Sequence, residues 1–480
     1  MRILFLRRGT GVWDPQGIQY LSATLKQGGH EVRLFNDADP ALMDRIAEWK
    51  PHVLAYSVTT GFHKHYLLLN KAIKNELPEL RPISVFGGPH ATFFPEMIET
   101  EGVDAVCRGE GELAFLDLID RIAAGRDYTA TDNFWVKTTK GIVRNDVRSF
   151  IEDLDSLPLP DRELIYSIDP FLRDLAPKTF FTSRGCPYRC TYCFNHAMRK
   201  LYKGKGKYIR TVSVDYVMRD IQACVDRYPV RFARFFSDVF NIFPDWFEEF
   251  CRQYKSRFNV PFMVNLRANL VDRKVGEMLA DAGCKWAFLG MESGNDVVRN
   301  DLLHRDMDRE TIRKAVRALQ DSGVAVVTQS MIGLPGETFE EAMDTLRLTA
   351  ECAPDYAWTS IYNPYPRTEL GEYAVEKGFF DGDFNKIDYT FYSRSVLKFP
   401  RPRDKERIEN LRKLLAISAH FKFLIPLVPA LSVMPFPTAY QAMQQVWWGY
   451  RQSGLTTISE GWKDYIWAAQ RFIMHTLGKE

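Results

Sequence analysis

Arg184-Gly-Cys-Pro-Tyr-Arg-Cys-Thr-Tyr-Cys-Phe194 is the stretch on which the reading of this chain turns. Three of the chain's eight cysteines, Cys186, Cys190 and Cys193, stand there at spacing C-x3-C-x2-C. A loop this tight can bring three thiolates onto three corners of one [4Fe–4S] cube, whose irons are held by Cys sulfur. No fourth cysteine lies nearby, so the fourth iron stays open to another ligand. Zinc is the competing reading: a structural zinc wants four ligands, and His196 can complete the set. Three cysteines merely packed in a core fit poorly with the flanking Arg184, Arg189 and Lys200. The cluster is the better reading.

With an aromatic, Tyr192, before the last cysteine, the motif resembles the signature of radical S-adenosylmethionine (SAM) enzymes. That resemblance implies that the open iron chelates the amino and carboxylate groups of SAM. Reductive cleavage of SAM then yields a 5′-deoxyadenosyl radical. It also implies a reducing compartment and an electron donor such as a flavodoxin or ferredoxin.

At 480 residues the chain exceeds one ordinary core, so two or three domains are expected. Charged residues make up 26% and the net charge is +2, which gives no electrostatic case for nucleic acid. The other five cysteines are scattered and do not form a disulfide framework. The N-terminus has too short an apolar run for a signal peptide and reads as a first strand, so the cytosol is the expected location.

Residues 1–145 alternate short apolar strands with helical segments. Strands are expected at Arg2–Leu6, Glu31–Phe35, His52–Val58, Ile83–Phe86 and Ala105–Cys107. This is the pattern of a parallel, doubly wound sheet, whose ligands sit beyond the strand carboxyl ends. Without a G-x-G-x-x-G after the first strand, a dinucleotide is not expected. Gln19-Tyr-Leu-Ser-Ala, Gly29-His-Glu-Val, Gly87-Gly-Pro-His and Arg108-Gly-Glu-Gly-Glu instead resemble the cobalamin-binding domain fused to many radical SAM enzymes. The resemblance implies cobalamin contacts at Gly11, Ser57 and Thr59, at Gly87, Gly88 and His90, and at Gly109, Glu110 and Gly111. Gly87 and Gly88 are expected to let the backbone approach a large flat ligand. The D-x-H-x-x-G motif is absent, so cobalt is not expected to be His-ligated from below. His63 and His65 read as solvated loop side chains before they read as metal ligands.

Residues 146–175, with Leu157-Pro-Leu-Pro-Asp161, read as a linker crossing the surface. From 176 to 398 the βα alternation resumes. Six strands are expected, near Thr179–Ser183, Phe232–Ser237, Phe262–Leu266, Trp286–Gly290, Ala325–Met331 and Trp358–Asn363. Six units imply a partial, TIM-like (βα)6 barrel with its site at the strand carboxyl ends, which is the radical SAM architecture. The resemblance then implies SAM contacts from Tyr192, from Asp238 after the second strand and from Arg267 after the third. Glu292 of Gly290-Met-Glu-Ser-Gly294 would take the ribose or the amine. Gly333 and Pro335 of Met331-Ile-Gly-Leu-Pro-Gly-Glu337 would line the adenine.

Residues 399–480 turn helical, at Lys405–His420, Ala439–Gly449 and Glu460–Leu477. Between the first two lies an apolar run of about 14 residues broken by prolines, short of the roughly 20 that span a bilayer. It reads as a helical cap on the barrel or as an apolar lip. A lip would touch a membrane surface or admit a lipid-like substrate, and Trp447, Trp448, Trp462 and Trp467 suit such an interface.

The resemblance therefore implies a [4Fe–4S] cluster, SAM and cobalamin acting on a small, apolar or lipid-like substrate. C-methylation through methylcobalamin is the expected reaction. An oxidative or ring-forming reaction, like that of the anaerobic cyclase of bacteriochlorophyll synthesis, is the nearest alternative. A cobalamin-independent radical enzyme and a non-catalytic sensor are further ones. A methylthiotransferase would bring three more clustered cysteines, and the chain has none.

Overall fold

In β1 (Arg2–Arg7) five of six residues are buried, the continuous apolar run of a strand covered on both faces. The computed structural model of the chain describes residues 1–8, 14–175, 177–387 and 394–455. β1 is flanked by β2 (Glu31–Asn36) and β3 (Val53–Ser57), followed outward by β4 (Ile83–Gly87) and β5 (Ala105–Cys107), all parallel. The order 2-1-3-4-5 reverses direction at β1/β3, the crevice where doubly wound sheets take ligands. The doubly wound sheet is as expected. An antiparallel hairpin, β6 (Phe134–Thr138) and β7 (Gly141–Arg144), extends it beyond β5 and was not foreseen.

The second sheet holds six parallel strands, each beside its sequence neighbour: β8 (Pro177–Phe181), β11 (Phe232–Phe236), β12 (Phe262–Leu266), β13 (Cys284–Glu292), β14 (Ala325–Ile332) and β15 (Tyr356–Ile361). β8 and β15 are its two ends, which leaves the partial barrel open at the side. Two short strands, β9 (Ser183–Arg184) and β10 (Arg210–Thr211), pair beside it. The outer helices are amphipathic and capped. In Arg309–Asp321, Asp308 accepts from the Thr311 N–H, and Ile312, Ala315, Val316 and Leu319 form the buried face. Thr338 and Glu341 make a capping box at the start of Phe339–Cys352.

The 146–175 stretch does not cross the surface as a linker. Ile151, Leu154 and Leu157 are buried in the barrel core, and Leu164, Ile165, Tyr166 and Leu172 in the core of the first sheet. Arg162 pairs with Asp220 and donates to the Thr179 carbonyl at 2.9 Å, and Arg7 pairs with Asp169 at 3.2 Å. A Pro-rich run without periodicity thus becomes a packed strap, because alternating Leu and Ile insert into two cores in turn.

The helix Asp404–His420 packs on Phe339–Cys352 and β15. Its Ile408 lies beside the Gly333 turn at the carboxyl ends of the strands. Its far end, His420, meets Trp447 at 4.9 Å. Helix Pro437–Leu455 then closes the opposite end of the barrel: Trp448 packs on Tyr356 (4.4 Å) and Trp286 (6.5 Å), residues at the beginnings of β15 and β13. The C-terminal segment is therefore a helical cap that runs along the flank of the barrel and ends at its foot. Of the two expected readings, cap and lip, the packing of Trp447 and Trp448 is that of a cap. Trp462, Trp467 and the expected helix at 460–477 lie outside the described residues. No helix among the described residues is long and apolar enough to cross a membrane.

Candidate active site between the two sheets

The cysteine loop leaves the barrel through β8 and β9 and runs into the helix Phe194–Leu201. Arg184, at its root, is buried against the first domain. Its guanidinium pairs with Glu110 at 3.0 Å and Glu112 at 2.5 Å, and Arg210 holds Glu110 from the other side at 2.7 Å. Burial alone would raise the Glu110 carboxyl; the Arg210 hydrogen bonds and both guanidinium charges outweigh it and hold it below its ordinary value. Glu110, expected to meet cobalamin, thus also forms a clamp between the domains.

Each thiol of the loop meets donors suited to thiolate sulfur. Asn195 Nδ2 lies 3.4 Å from Cys193 Sγ, and Arg267 and Arg305 place Nη1 at 3.6 and 3.5 Å from Cys190 Sγ. Burial pushes the Cys193 thiol up to about 12 and also raises Cys186, so these thiolates require a cation to pair with. Three thiols on one short loop, with two guanidinium groups at Cys190, suit the thiolate chemistry of an iron–sulfur cluster. The zinc alternative fares worse. His196 donates through Nδ1 to the Cys193 carbonyl at 2.7 Å and accepts at Nε2 from the Glu369 N–H at 3.2 Å, leaving neither nitrogen for a metal.

The strand ends converge on this loop. Asp238 accepts from the Gly185 N–H and from Asn195; crowding by protein raises its carboxyl even though one side stays open to the cavity. Glu292 ends β13 at φ +67°, just after a register shift in the β13/β14 pairing, and faces Arg305 at 3.8 Å. A non-glycine residue held there is strained, as binding sites often are. Tyr192 shares an apolar cluster with Met331 and Leu334, so the cysteine loop packs on the fifth-strand turn. That turn is closed by Glu337, whose carboxylate accepts from the Gly333 N–H at 2.5 Å and the Leu334 N–H at 3.0 Å. Burial pushes Glu337 up to about 8, although the two backbone donors pull the other way.

Arg267 does not present a free fork for a carboxylate. Its three nitrogens reach Asn269, Cys190 and the Arg305 carbonyl, and its plane stacks on Tyr188 at 3.6 Å. Arg305 was missed by sequence reasoning. It donates to Gly290 O at 2.7 Å and Tyr192 Oη at 3.2 Å as well as to Cys190. It follows an irregular turn with no strand or helix period to flag it. Asn195, in the helix Phe194–Leu201, was also missed: its role shows only once Cys193, Asp238 and Tyr208 surround it.

Between the two sheets lies a cavity of about 710 Å³. Ser57, Gly87, Gly88, Gly109, Glu110 and Gly111 line it from the first domain. Arg184, Gly185, Asn195, Ser237, Asp238 and Asn265 line it from the barrel. Tyr20, Phe115, Phe150 and Phe181 give it largely apolar walls, which suit a flat macrocycle. Tyr192, Arg267, Glu292, Gly333 and Pro335 are not on its wall.

Of the expected cobalamin contacts, Thr59 and His90 do not line the cavity, and Gly11 lies outside the described residues. His90 is buried and stacked on His63 with ring centroids 3.8 Å apart, which lowers it to about 3 and keeps it neutral. His63 is not solvated as expected: it accepts at Nδ1 from the Gly61 N–H and donates through Nε2 to Asn385. His65 pairs with Asp37. The glycines also have a second reason to be glycine. A Cβ on Gly88 (φ +92°) would sit 2.9 Å from the Val58 backbone, and one on Gly109 (φ +79°) would overlap the Tyr202 hydroxyl.

Known proteins share this arrangement in sequence as well as in fold. The family model of the radical SAM superfamily matches residues 180–349, and that of the B12 binding domain matches residues 4–119. This chain is a B12-binding radical SAM enzyme. Membership brings three cofactors, a [4Fe–4S] cluster, SAM and cobalamin. An uncharacterized methyltransferase of Pyrococcus horikoshii is 28% identical over 371 residues, 75% of this chain and 78% of its own. An anaerobic magnesium-protoporphyrin IX monomethyl ester cyclase of Rubrivivax gelatinosus is 26% identical over 461 residues, 85% of this chain and 80% of its own. Among solved structures, the cobalamin-dependent radical SAM enzyme OxsB, with aqua-cobalamin and SAM bound, superposes with a TM-score of 0.70. It does so at 16% identity, over 99% of this chain and 75% of its own. The methyltransferase TsrM of Kitasatospora setae, with cobalamin and [4Fe–4S] cluster bound, gives 0.65 at 17% identity, over 78% of this chain and 75% of its own. The B12-binding radical SAM chain thus shares both halves of its fold with these enzymes.

Proposed function

We propose that this B12-binding radical SAM enzyme C-methylates an unactivated carbon of a small, apolar substrate. The observation that carries the reading is the shared cavity: the sheet ends at Ser57, Gly87 and Gly88 face the cysteine loop at Gly185 and Asn195 across one space. When bound, the cluster supplies the electron that cleaves SAM to a 5′-deoxyadenosyl radical, and cobalamin supplies the methyl group.

The chain's own residues bind, orient and shield. Cys186, Cys190 and Cys193 hold the cluster, with Arg267 and Arg305 facing the Cys190 sulfur. Asp238 and Glu292 take the amine and ribose of SAM, and Tyr192, Gly333 and Pro335 shape its adenine side. Ser57, Gly87, Gly88 and Gly111 border the corrin, while Phe150 and Phe181 exclude water from the reacting carbon. No side-chain base is needed for this reaction. A flavodoxin or ferredoxin serves as electron donor, and the enzyme makes peripheral contact with a membrane.

Ring formation is the second reading, favoured by the similarity to the Rubrivivax gelatinosus cyclase. Anaerobic turnover with reconstituted enzyme separates the two. S-adenosylhomocysteine formed beside 5′-deoxyadenosine supports methylation. 5′-deoxyadenosine alone supports cyclisation or oxidation, and failure to take up any corrinoid rejects the methyl-transfer scheme.

A further inference from the structure

The strand that leads toward the cysteine loop lies at an end of its sheet. Among the described residues β8 pairs with β11 alone, Thr179 opposite Arg234, so its outer edge has no neighbouring strand. A bare edge leaves backbone N–H and C=O groups without partners. Here side chains supply them. The Thr179 N–H donates to Asp14 Oδ2 at 3.1 Å, and the Thr179 carbonyl accepts from Gln16 Nε2 at 2.6 Å and Arg162 Nη2 at 2.9 Å. Asp14 and Gln16 stand at the start of the helix Gln16–Gln27 in the first domain, so that domain makes the bonds a further strand would make.

The other oxygen of Asp14 is taken as well. Oδ1 accepts from the Tyr166 hydroxyl at 2.8 Å, and Tyr166 is fully buried in the 146–175 strap. One carboxylate therefore joins the first helix, the strap and β8. They meet on the wall of the cavity, which Asp14, Gln16 and Thr179 all line. Further along the same stretch, Arg184 makes its clamp to Glu110 and Glu112. The two ties come from either side of β3 and β4, because Asp14 follows β1 and Glu110 follows β5 in the order 2-1-3-4-5. Ser57 and Gly87, which end β3 and β4 on the cavity wall, lie between them. A wall tied at both flanks to the stretch that carries the cysteines is held from tilting against them.

We propose that Asp14 is a positioning residue of the reaction: supported by Gln16, it holds the corrin side of the cavity at one distance and angle from the cysteine loop. It acts through Thr179 and β8. Reaction between two bound groups is steep in their placement, and an error of about 1 Å can cost about a hundredfold. A looser wall therefore lets SAM be cleaved but wastes the radical before the methyl group is delivered. That consequence rests on the methylation reading, whereas the positioning itself does not.

The test compares Asp14→Ala, Asp14→Asn and Gln16→Ala with the parent, each as the full chain reconstituted anaerobically with cluster and cobalamin. Asp14→Asn keeps both bonds, since its carbonyl accepts from the Thr179 N–H and its amide donates to the Tyr166 oxygen. Asp14→Ala keeps neither. Gln16→Ala is the milder change, because Arg162 remains on the Thr179 carbonyl. The readout is the relaxation of the cob(II)alamin EPR signal beside the reduced cluster, which depends steeply on their separation and needs no turnover. Asp14→Ala should lose most of the parental enhancement, Gln16→Ala should lose less, and Asp14→Asn should match the parent. In turnover, S-adenosylhomocysteine formed per 5′-deoxyadenosine should fall at least about tenfold for Asp14→Ala. Parental relaxation in Asp14→Ala overturns the proposal, as does an Asp14→Asn variant as impaired as Asp14→Ala. If Asp14→Ala takes up no iron or corrinoid, parental relaxation in Gln16→Ala overturns it, by assigning Asp14 to folding alone. A parent that forms no S-adenosylhomocysteine removes the methylation reading, while the relaxation comparison still decides the role of Asp14.

Discussion

The clamp at the root of the cysteine loop allows a quantitative test. Arg184 is 16% exposed at its side chain, Glu110 9% and Glu112 8%, so these charges are largely out of water. Arg184→Ala leaves Glu110 with Arg210 but leaves Glu112 without a cation. Breaking a buried pair by removing one partner costs about 3–5 kcal/mol, because the remaining charge stays desolvated. Partial solvent access puts Arg184→Ala at the low end, about 3 kcal/mol. Glu112→Gln removes the stranded charge, so the double variant should recover much of that loss, with a coupling energy of about 2 kcal/mol. The assay is urea unfolding of the four proteins of the cycle at neutral pH, followed by tryptophan fluorescence, with iron content measured after reconstitution. Arg184→Ala should also retain less iron, since the loop loses its anchor to the first domain. The sign with pH follows from Glu110. Its lowered pKa means that the clamp contributes fully above the ordinary carboxylate value of 4.5 and is lost as acid titrates through the lower folded value. A coupling energy below about 0.5 kcal/mol, typical of exposed pairs, together with unchanged iron, refutes the clamp.

Three further outcomes are expected. Cys190→Ala should abolish the cluster absorbance and SAM cleavage, whereas His196→Ala should retain iron, as zinc-type ligation by His196 would not allow. Gly109→Ala should destabilise by at least about 2 kcal/mol, through strain at positive φ and overlap with Tyr202, and should lower corrinoid uptake; Gly17→Ala, with open space around it, serves as the control. Glu337, raised from 4.5 to about 8, favours the folded state fully below pH 4.5, and that contribution is lost as pH rises through about 8. Glu337→Gln should therefore flatten the fall in thermal stability between pH 6 and 8.5, and an unchanged slope would count against the buried acid.

Much of the fold is legible along the chain because its signals are local. A strand buried on both faces, such as Arg2–Arg7, announces itself as an apolar run, and the helix Gln16–Gln27 ends at Gly28-Gly29, a pair that stops helices. The six barrel strands fall within a few residues of the expected ones for the same reason. The strap at 146–175 and the hairpin at 134–144 were not read correctly. Burial of Leu154 and Leu164 depends on two cores that only the assembled domains create, and β6 needs β5 as a partner.

The site divides along the same line. Sequence alone determined the three cysteines, the Gly-rich strand ends and the two-domain plan, since ligand type and spacing within a short loop set what a loop can bind. Tertiary structure decided which side chains serve those elements. It made Glu110, which also lines the cavity, the partner of Arg184 and Arg210, stacked His63 on His90, and brought Arg305 to Cys190 across 115 residues of chain. It also packed Trp448 of the C-terminal segment onto Tyr356 and Trp286 at the foot of the barrel. The physical reason is that charge pairing and desolvation depend on distance in space, which folding alone sets. A motif records only distance along the chain.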